Sequence, residues 1–359
     1  MRAARLNNFD VLRLLAASAV LVDHSFGMVS HAEPRIPLTR EPIGDVAVLV
    51  FFGISGYLIT QSWTREPRLV AFAAKRMLRI MPALAVVVLV TAYVIGPLTS
   101  SQEAGDYLTS RAPAHNVVSH TLLISQLTPP GHWVSSARPP HLPGVFTDTP
   151  LPYANGSLWT LSVEVWAYFF VALGGILFLR WRNSVWRIWP CLLLALGIAV
   201  TVRSGGGTTY PLFLCFAGGA ALFWLRDRIP LSWPLALTAA ATWIASYQLP
   251  LAAHNLVAGA AVPYLVIFFA FRGLGWLRPL TKPGDLSYGI YVWAWPVQQM
   301  VIHLTGTRDP FVVLAVAAPI TYLLGLASWH AIERPALRLK RRLPQAGVSE
   351  LTVKDLRTA

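Results

Sequence analysis

The sequence predicts an all-α integral membrane protein of about ten transmembrane helices, with both termini cytoplasmic and one long external loop. Three observations carry that expectation. Of 359 residues, 55% are hydrophobic and 13% charged, about half the charge density of an ordinary soluble domain. Apolar runs of the ~20 residues needed to cross ~30 Å of hydrocarbon recur along the whole chain. Of the 29 lysines and arginines, 22 fall in loops on one side of those runs and 6 on the other, alternating loop by loop, which sets orientation by the positive-inside rule.

The first span, 8–29, carries Asp10, Arg13, Asp23 and His24 within apolar sequence. It has no small-residue cleavage site, so it is expected to be retained rather than removed as a signal peptide. The second, 43–62, holds Gly53, Ser55 and Gly56, small residues that let helices approach closely. The third, 78–96, follows the cluster Lys75, Arg76, Arg79, with Pro82 in an early turn. The long segment 97–155 is rich in Pro, Gly and Ser. A loop of that length is functional or disordered; here it is expected to cap an external cavity, with a short helix near 115–127. The fourth span runs 156–179. The fifth to seventh, 186–203, 210–226 and 231–249, are shorter. Spans 253–272, 287–305 and 311–333 complete the set. The division is a transmembrane domain, 1–335, and a basic then polar tail, 336–359, lying near anionic headgroups or disordered.

A net charge of +13 serves helix orientation in this setting, and nucleic acid is not an expected partner. Cys191 and Cys215 each sit inside an apolar run without metal-ligand spacing, so they read as small apolar filler. No metal or redox motif is present, and no bound cofactor is expected.

Ionisable groups inside a membrane cost at least ~2.5 kcal/mol each at the bilayer centre and are functional candidates by default. Arg13 and His24, eleven residues apart, project from one face of the first helix, ~16 Å apart along its axis. Arg13 lies near the cytoplasmic end and His24 in the outer half. A neutral imidazole there suits a general base. Glu164 lies about two turns into the fourth span, at a depth close to that of His24, which is its expected partner. Arg76 and Arg79, one turn apart, are either positive-inside charges or a phosphate clamp. Arg13 nearby favours the clamp.

Six segments, in order, resemble the acyltransferase-3 family of membrane acyltransferases: NNFDVLRLLAASAVLVDHSF, DVAVLVFFGISGYLI, KRMLRIMPAL, NGSLWTLSVEVWAYF, LSYGIYVWAWPV and HAIERP. The resemblance covers almost the whole chain. It implies transfer of an acyl group, most often acetyl from acetyl-CoA, to a hydroxyl of a polysaccharide or lipid-linked glycan, by a multi-pass protein of a bacterial inner membrane. It also implies that His24 is the essential histidine, Arg13 its paired arginine, Glu164 the family's acidic position, and Arg76 and Arg79 its cytoplasmic arginines. One departure stands out. Many members have a histidine where this chain has Ala294, in Tyr291-Val292-Trp293-Ala294-Trp295-Pro296. The expected partners are therefore acyl-CoA, a glycan acceptor and membrane lipid. The rival expectation is a carrier or flippase for lipid-linked sugars.

Overall fold

The computed structural model describes residues 7–29, 33–39, 41–122, 142–179 and 210–342. Among them the chain is helical throughout, with no strand beyond two isolated bridges, Arg35 to Pro42 and Ser100 to Val145. The helices are α1 (Phe9–Gly27), α2 (Ile43–Arg65), α3 (Leu69–Val90), α4 (Ala104–Thr109), α5 (Ala112–Thr121), α6 (Trp159–Leu179), α7 (Tyr210–Leu225), α8 (Trp233–Ala245), α9 (Leu251–Arg272), α10 (Ser287–Thr305) and α11 (Pro310–Ser328). A π turn, Thr91–Ile95, extends α3 into Gly96–Thr99; a second, Trp329–Glu333, carries α11 on into Arg334–Arg338.

Five of these helices are long and apolar enough to cross a membrane: Ile43–Arg65, Leu69–Thr99, Trp159–Ile176, Leu251–Arg272 and Pro310–Arg338. Two predicted spans, α1 and α10, fall outside that group because of what they carry. Asp10, Arg13 and Asp23 share α1, while α10 holds Gln298, Gln299 and His303 among its aromatics. Helices α7 and α8 are shorter, with 16 and 13 residues. The expected fifth span, 186–203, and most of the tail lie outside the described residues. The segment after α3 holds α4 and α5, so the short helix expected near 115–127 ends earlier, at Thr121.

Local sequence explains several boundaries. The Asp309 carboxylate accepts from the Phe311 N–H at 2.8 Å, with Pro310 at the first helical position of α11. Gly306 ends α10 with φ of 64°, its N–H reaching back to the Ile302 carbonyl at 2.8 Å. The start of α2 has a distant cap. Asp23 on α1 accepts from the Gly44 N–H at 3.1 Å, which gives this buried carboxylate a structural role.

The interior is built on close helix contact. A Cβ added at Gly56 in α2 would lie 1.9 Å from the Phe216 carbonyl of α7, and one at Gly219 would lie 2.2 Å from the Gly53 carbonyl. The small residues read from the second span thus seat α2 directly on α7. In turn α2 packs along α1, α7 along α9, and α10 between α1 and α11.

Candidate functional site

A cavity of about 330 Å³ opens between α1, α2, α3, α6 and α10, within the size range of small-molecule sites. Its longest wall is one face of α2, where Val48, Phe51, Phe52, Ser55, Leu58 and Ile59 recur at helical spacing. Eleven residues at 1.5 Å each make that wall ~16 Å long. At one end the lining is cationic: Arg13, Arg76, Arg79 and Lys340. Tyr168 and Tyr288 lie at that same end, their rings 5.8 Å from Arg76 and 5.7 Å from Arg79, and Thr160 and Tyr291 extend the lining away from it. Four of the five residues singled out from sequence, Arg13, Arg76, Arg79 and Glu164, line this one cavity.

The three arginines are not equivalent. Arg79 bonds to Asp285 at 2.6 Å and to Glu333 at 3.2 Å. Arg13 lies 3.7 Å from the same Asp285 and 3.5 Å from Asp10. Asp285 is fixed in turn by the Ser287 hydroxyl at 2.5 Å, at the start of α10. Burial pushes the Asp285 carboxyl up, but Arg79, Arg13 and the Ser287 hydrogen bonds outweigh it and hold it below the usual carboxylate range. Glu333, at the end of the π turn that interrupts the last long helix, is only 1% exposed. Arg76 has no carboxylate partner among the described residues. Its guanidinium lies 5.8 Å from the Tyr168 ring and 6.0 Å from that of Phe72, and its Nε is buried without a hydrogen-bond partner. Lys340 also has no carboxylate partner here. Burial and the like charges of Arg76, Arg79, Lys75 and Arg13 bring its pKa down to about 8.

Glu164 is held by the Tyr168 hydroxyl and by the Ser55 hydroxyl, the latter at 3.3 Å. It therefore does not pair with His24, as its depth predicts. The two lie at different levels: Glu164 is one turn to one side of Thr160, which meets Tyr291, while Trp295 and His24 are one turn to the other, ~12 Å apart along the helices in all, and the α6 face that carries Glu164 and Tyr168 turns toward Arg76. Where Thr160 lines the cavity, its hydroxyl meets that of Tyr291 at 2.6 Å, and Tyr291 donates to the Ser157 carbonyl at 2.9 Å. This cluster joins α10 to the start of α6.

His24 does not line the cavity. Its ring lies edge-on against Trp295, centroids 4.9 Å apart. Trp295 is one turn past Tyr291 on α10, so His24 lies about one turn, ~6 Å, beyond the Tyr291–Thr160 cluster. The Trp295 indole donates to the Tyr153 carbonyl at 2.8 Å and packs on Gly156, where an added Cβ would come within 2.5 Å of the ring. His24 is half-buried, and its Nδ1 is buried with no hydrogen-bond partner among the described residues. Ala294 is fully buried.

Sequence reading passes over Asp285, Glu333, Lys340 and Tyr168. Asp285 immediately precedes the segment LSYGIYVWAWPV and Glu333 lies within HAIERP, two of the six that carry the resemblance. What hides them is that each meets its arginine from more than 200 residues away.

Residues 6–330 match the family described as an acyltransferase domain, acyltransferase-3. The chain is 27% identical to an O-acetyl transferase of Shigella phage Sf6, over 91% of this chain and 95% of the relative. It is 27% identical to Nodulation protein 10 of Rhizobium leguminosarum bv. viciae, over 94% and 95% respectively. It is also 24% identical to the peptidoglycan O-acetyltransferase OatA of Listeria monocytogenes serovar 1/2a, over 91% of this chain and 55% of the relative. No solved structure matches the chain.

Proposed function

The chain belongs to the acyltransferase-3 family, and from that premise we propose that it moves an acyl group, acetyl by default, from acyl-CoA to a hydroxyl of a polysaccharide or lipid-linked glycan. The observation that carries this reading is the cavity: a cluster of cations at one end and a lining of apolar, aromatic and hydroxyl-bearing side chains along the rest. That is the profile of a ligand with phosphates at one end and a long uncharged chain at the other. In this reading Arg13, Arg76, Arg79 and Lys340 hold the phosphates. Glu164, Ser55 and the tyrosine hydroxyls face the amide-bearing arm. The arm points toward His24.

In this proposal the protein spans a bacterial inner membrane about ten times, both termini are cytoplasmic, the transmembrane domain ends near 335, and segment 97–155 is external. The ~16 Å from Arg13 to His24 along α1 then brings a cytoplasmic donor to an acceptor that enters from outside. His24 takes the acceptor hydroxyl proton as the oxygen attacks the thioester carbonyl. The C–O ester bond forms, the C–S bond breaks, and the leaving thiolate takes the proton back from the imidazolium. Glu164 acts through Tyr168 on Arg76 at the donor end, not on His24. A relay in which His24 itself carries the acyl group uses the same residues. Neither scheme uses a side chain at position 294, where this chain has Ala294.

Proteoliposomes supplied with labelled acetyl-CoA and envelope glycan test the reading. Label in an alkali-labile glycan ester supports it. Glycan movement across the bilayer without consumption of acetyl-CoA supports the carrier alternative instead.

A further inference from the structure

Two consecutive glutamines, Gln298 and Gln299, are fully buried in α10. Burying an amide is costly unless its hydrogen bonds are made. The Gln298 NH₂ makes two. It donates to the Leu21 carbonyl and to the Ser25 hydroxyl, both at 2.7 Å, and Ser25 donates onward to Leu21 at 2.9 Å. Because a carbonyl can only accept, this contact fixes which way the amide faces. The Gln298 Oε1 is then a buried acceptor with no partner among the described residues.

The residues that hold this amide bracket His24 in the chain. Leu21 and Ser25, which grip the amide, flank His24 on α1. Trp295, which lies against the His24 ring, precedes Gln298 by three residues and so shares its face of α10. Facing helices α1 and α10 thus each carry a buried polar atom without a partner among the described residues, His24 Nδ1 and Gln298 Oε1, and the bonds to Leu21 and Ser25 hold the second in place.

Resting on the acyl-transfer reading above, we infer that Gln298 is an acceptor-positioning residue that reads a hydroxyl next to the one acylated, so that the acceptor presents a vicinal diol. A single hydroxyl has one proton and cannot satisfy two separate acceptors. Two hydroxyls on adjacent carbons can: one gives its proton to His24, and its neighbour donates to the Gln298 Oε1. A site built to receive a substrate hydroxyl discriminates strongly against a substrate lacking it, because its own polar group is left unpaired. A primary hydroxyl on an exocyclic carbon, with no neighbouring hydroxyl, would leave Gln298 unanswered.

Two measurements test this. In membranes with matched protein levels, Gln298→Leu is expected to lower transfer to envelope glycan about 10- to 100-fold, with the KM for acetyl-CoA unchanged, since the donor cavity is separate. A folding defect would instead move the protein level and the donor KM together. The second measurement needs no variant: the position of the ester in the wild-type product, by NMR. The inference expects an ester on a ring carbon whose neighbour carries a free hydroxyl. An ester at a position without one, or unaltered transfer by Gln298→Leu, overturns it. Absence of any ester from wild-type cells overturns the acyl-transfer reading itself.

Discussion

Arg76 and Arg79 lie one turn apart on α3 and look interchangeable in sequence, yet replacing each by Met should break different things. Arg79 bridges Asp285 and Glu333, with Glu333 almost wholly buried. Its removal leaves two carboxylates facing each other in a water-poor site. Breaking a buried pair from one side costs about 3–5 kcal/mol. With the Arg79 side chain 20% exposed, we place the loss nearer ~3 kcal/mol. Arg76 has no carboxylate partner among the described residues, and its guanidinium lies 5.8 and 6.0 Å from two aromatic rings. At that outer distance each contact is worth about 0.5 kcal/mol, and no carboxylate is left unpaired. Arg76→Met should therefore unfold within ~1 kcal/mol of wild type. Its loss should appear in donor binding, where one charge-assisted hydrogen bond is worth about 1.5–3 kcal/mol, or ~10- to 150-fold in the KM for acetyl-CoA. The assay is thermal unfolding of detergent-solubilised protein alongside the KM measured in membranes. If Arg76→Met destabilises as much as Arg79→Met, or leaves the donor KM untouched, the assignment of Arg76 as a phosphate-holding cation is wrong.

Other outcomes follow from the same geometry. Lys340, with its pKa near 8, is cationic below that pH and neutral above it. Donor affinity should therefore fall about tenfold as pH rises from 7 to 9, and Lys340→Arg should flatten that profile; a wild-type KM for acetyl-CoA constant across the range contradicts the placement. Gly56→Ala, whose added Cβ would sit 1.9 Å from the Phe216 carbonyl, should force α2 off α7 and sharply reduce membrane levels, while Gly105→Ala, with open space around it, should not. Asp23→Ala should lower stability by about 1 kcal/mol through loss of the cap on α2 with no change in the KM for either substrate.

The sequence made one kind of information easy to read and hid another. Membrane character, helix positions and the cationic cluster follow from apolar period and charge, which are local in the chain. The cavity-lining face of α2 has the spacing of any helix stripe, so its role appears only once α1, α3, α6 and α10 surround it. Glu164 shows the limit most clearly. Depth along a helix can be read at 1.5 Å per residue. How far one helix is shifted against its neighbour cannot be read that way, and the shift here puts Glu164 against Tyr168 and Ser55, about two turns from the level of His24. Asp285 and Glu333 stayed hidden for a related reason: a carboxylate at a helix end looks like a solvated charge until a distant arginine arrives. Asp23, costly by sequence reckoning, proves to be a cap for a neighbouring helix.

His24 is the group proposed to receive the acceptor proton, about one turn beyond the Tyr291–Thr160 cluster. The most direct test is transfer of labelled acetyl from acetyl-CoA to envelope or secreted glycan in cells carrying wild type or His24→Ala at matched membrane levels. The expected result is an alkali-labile glycan ester with wild type, its loss with His24→Ala, and donor binding retained by the variant, since His24 does not line the cavity. Equal transfer by both would make His24 structural and contradict the mechanism.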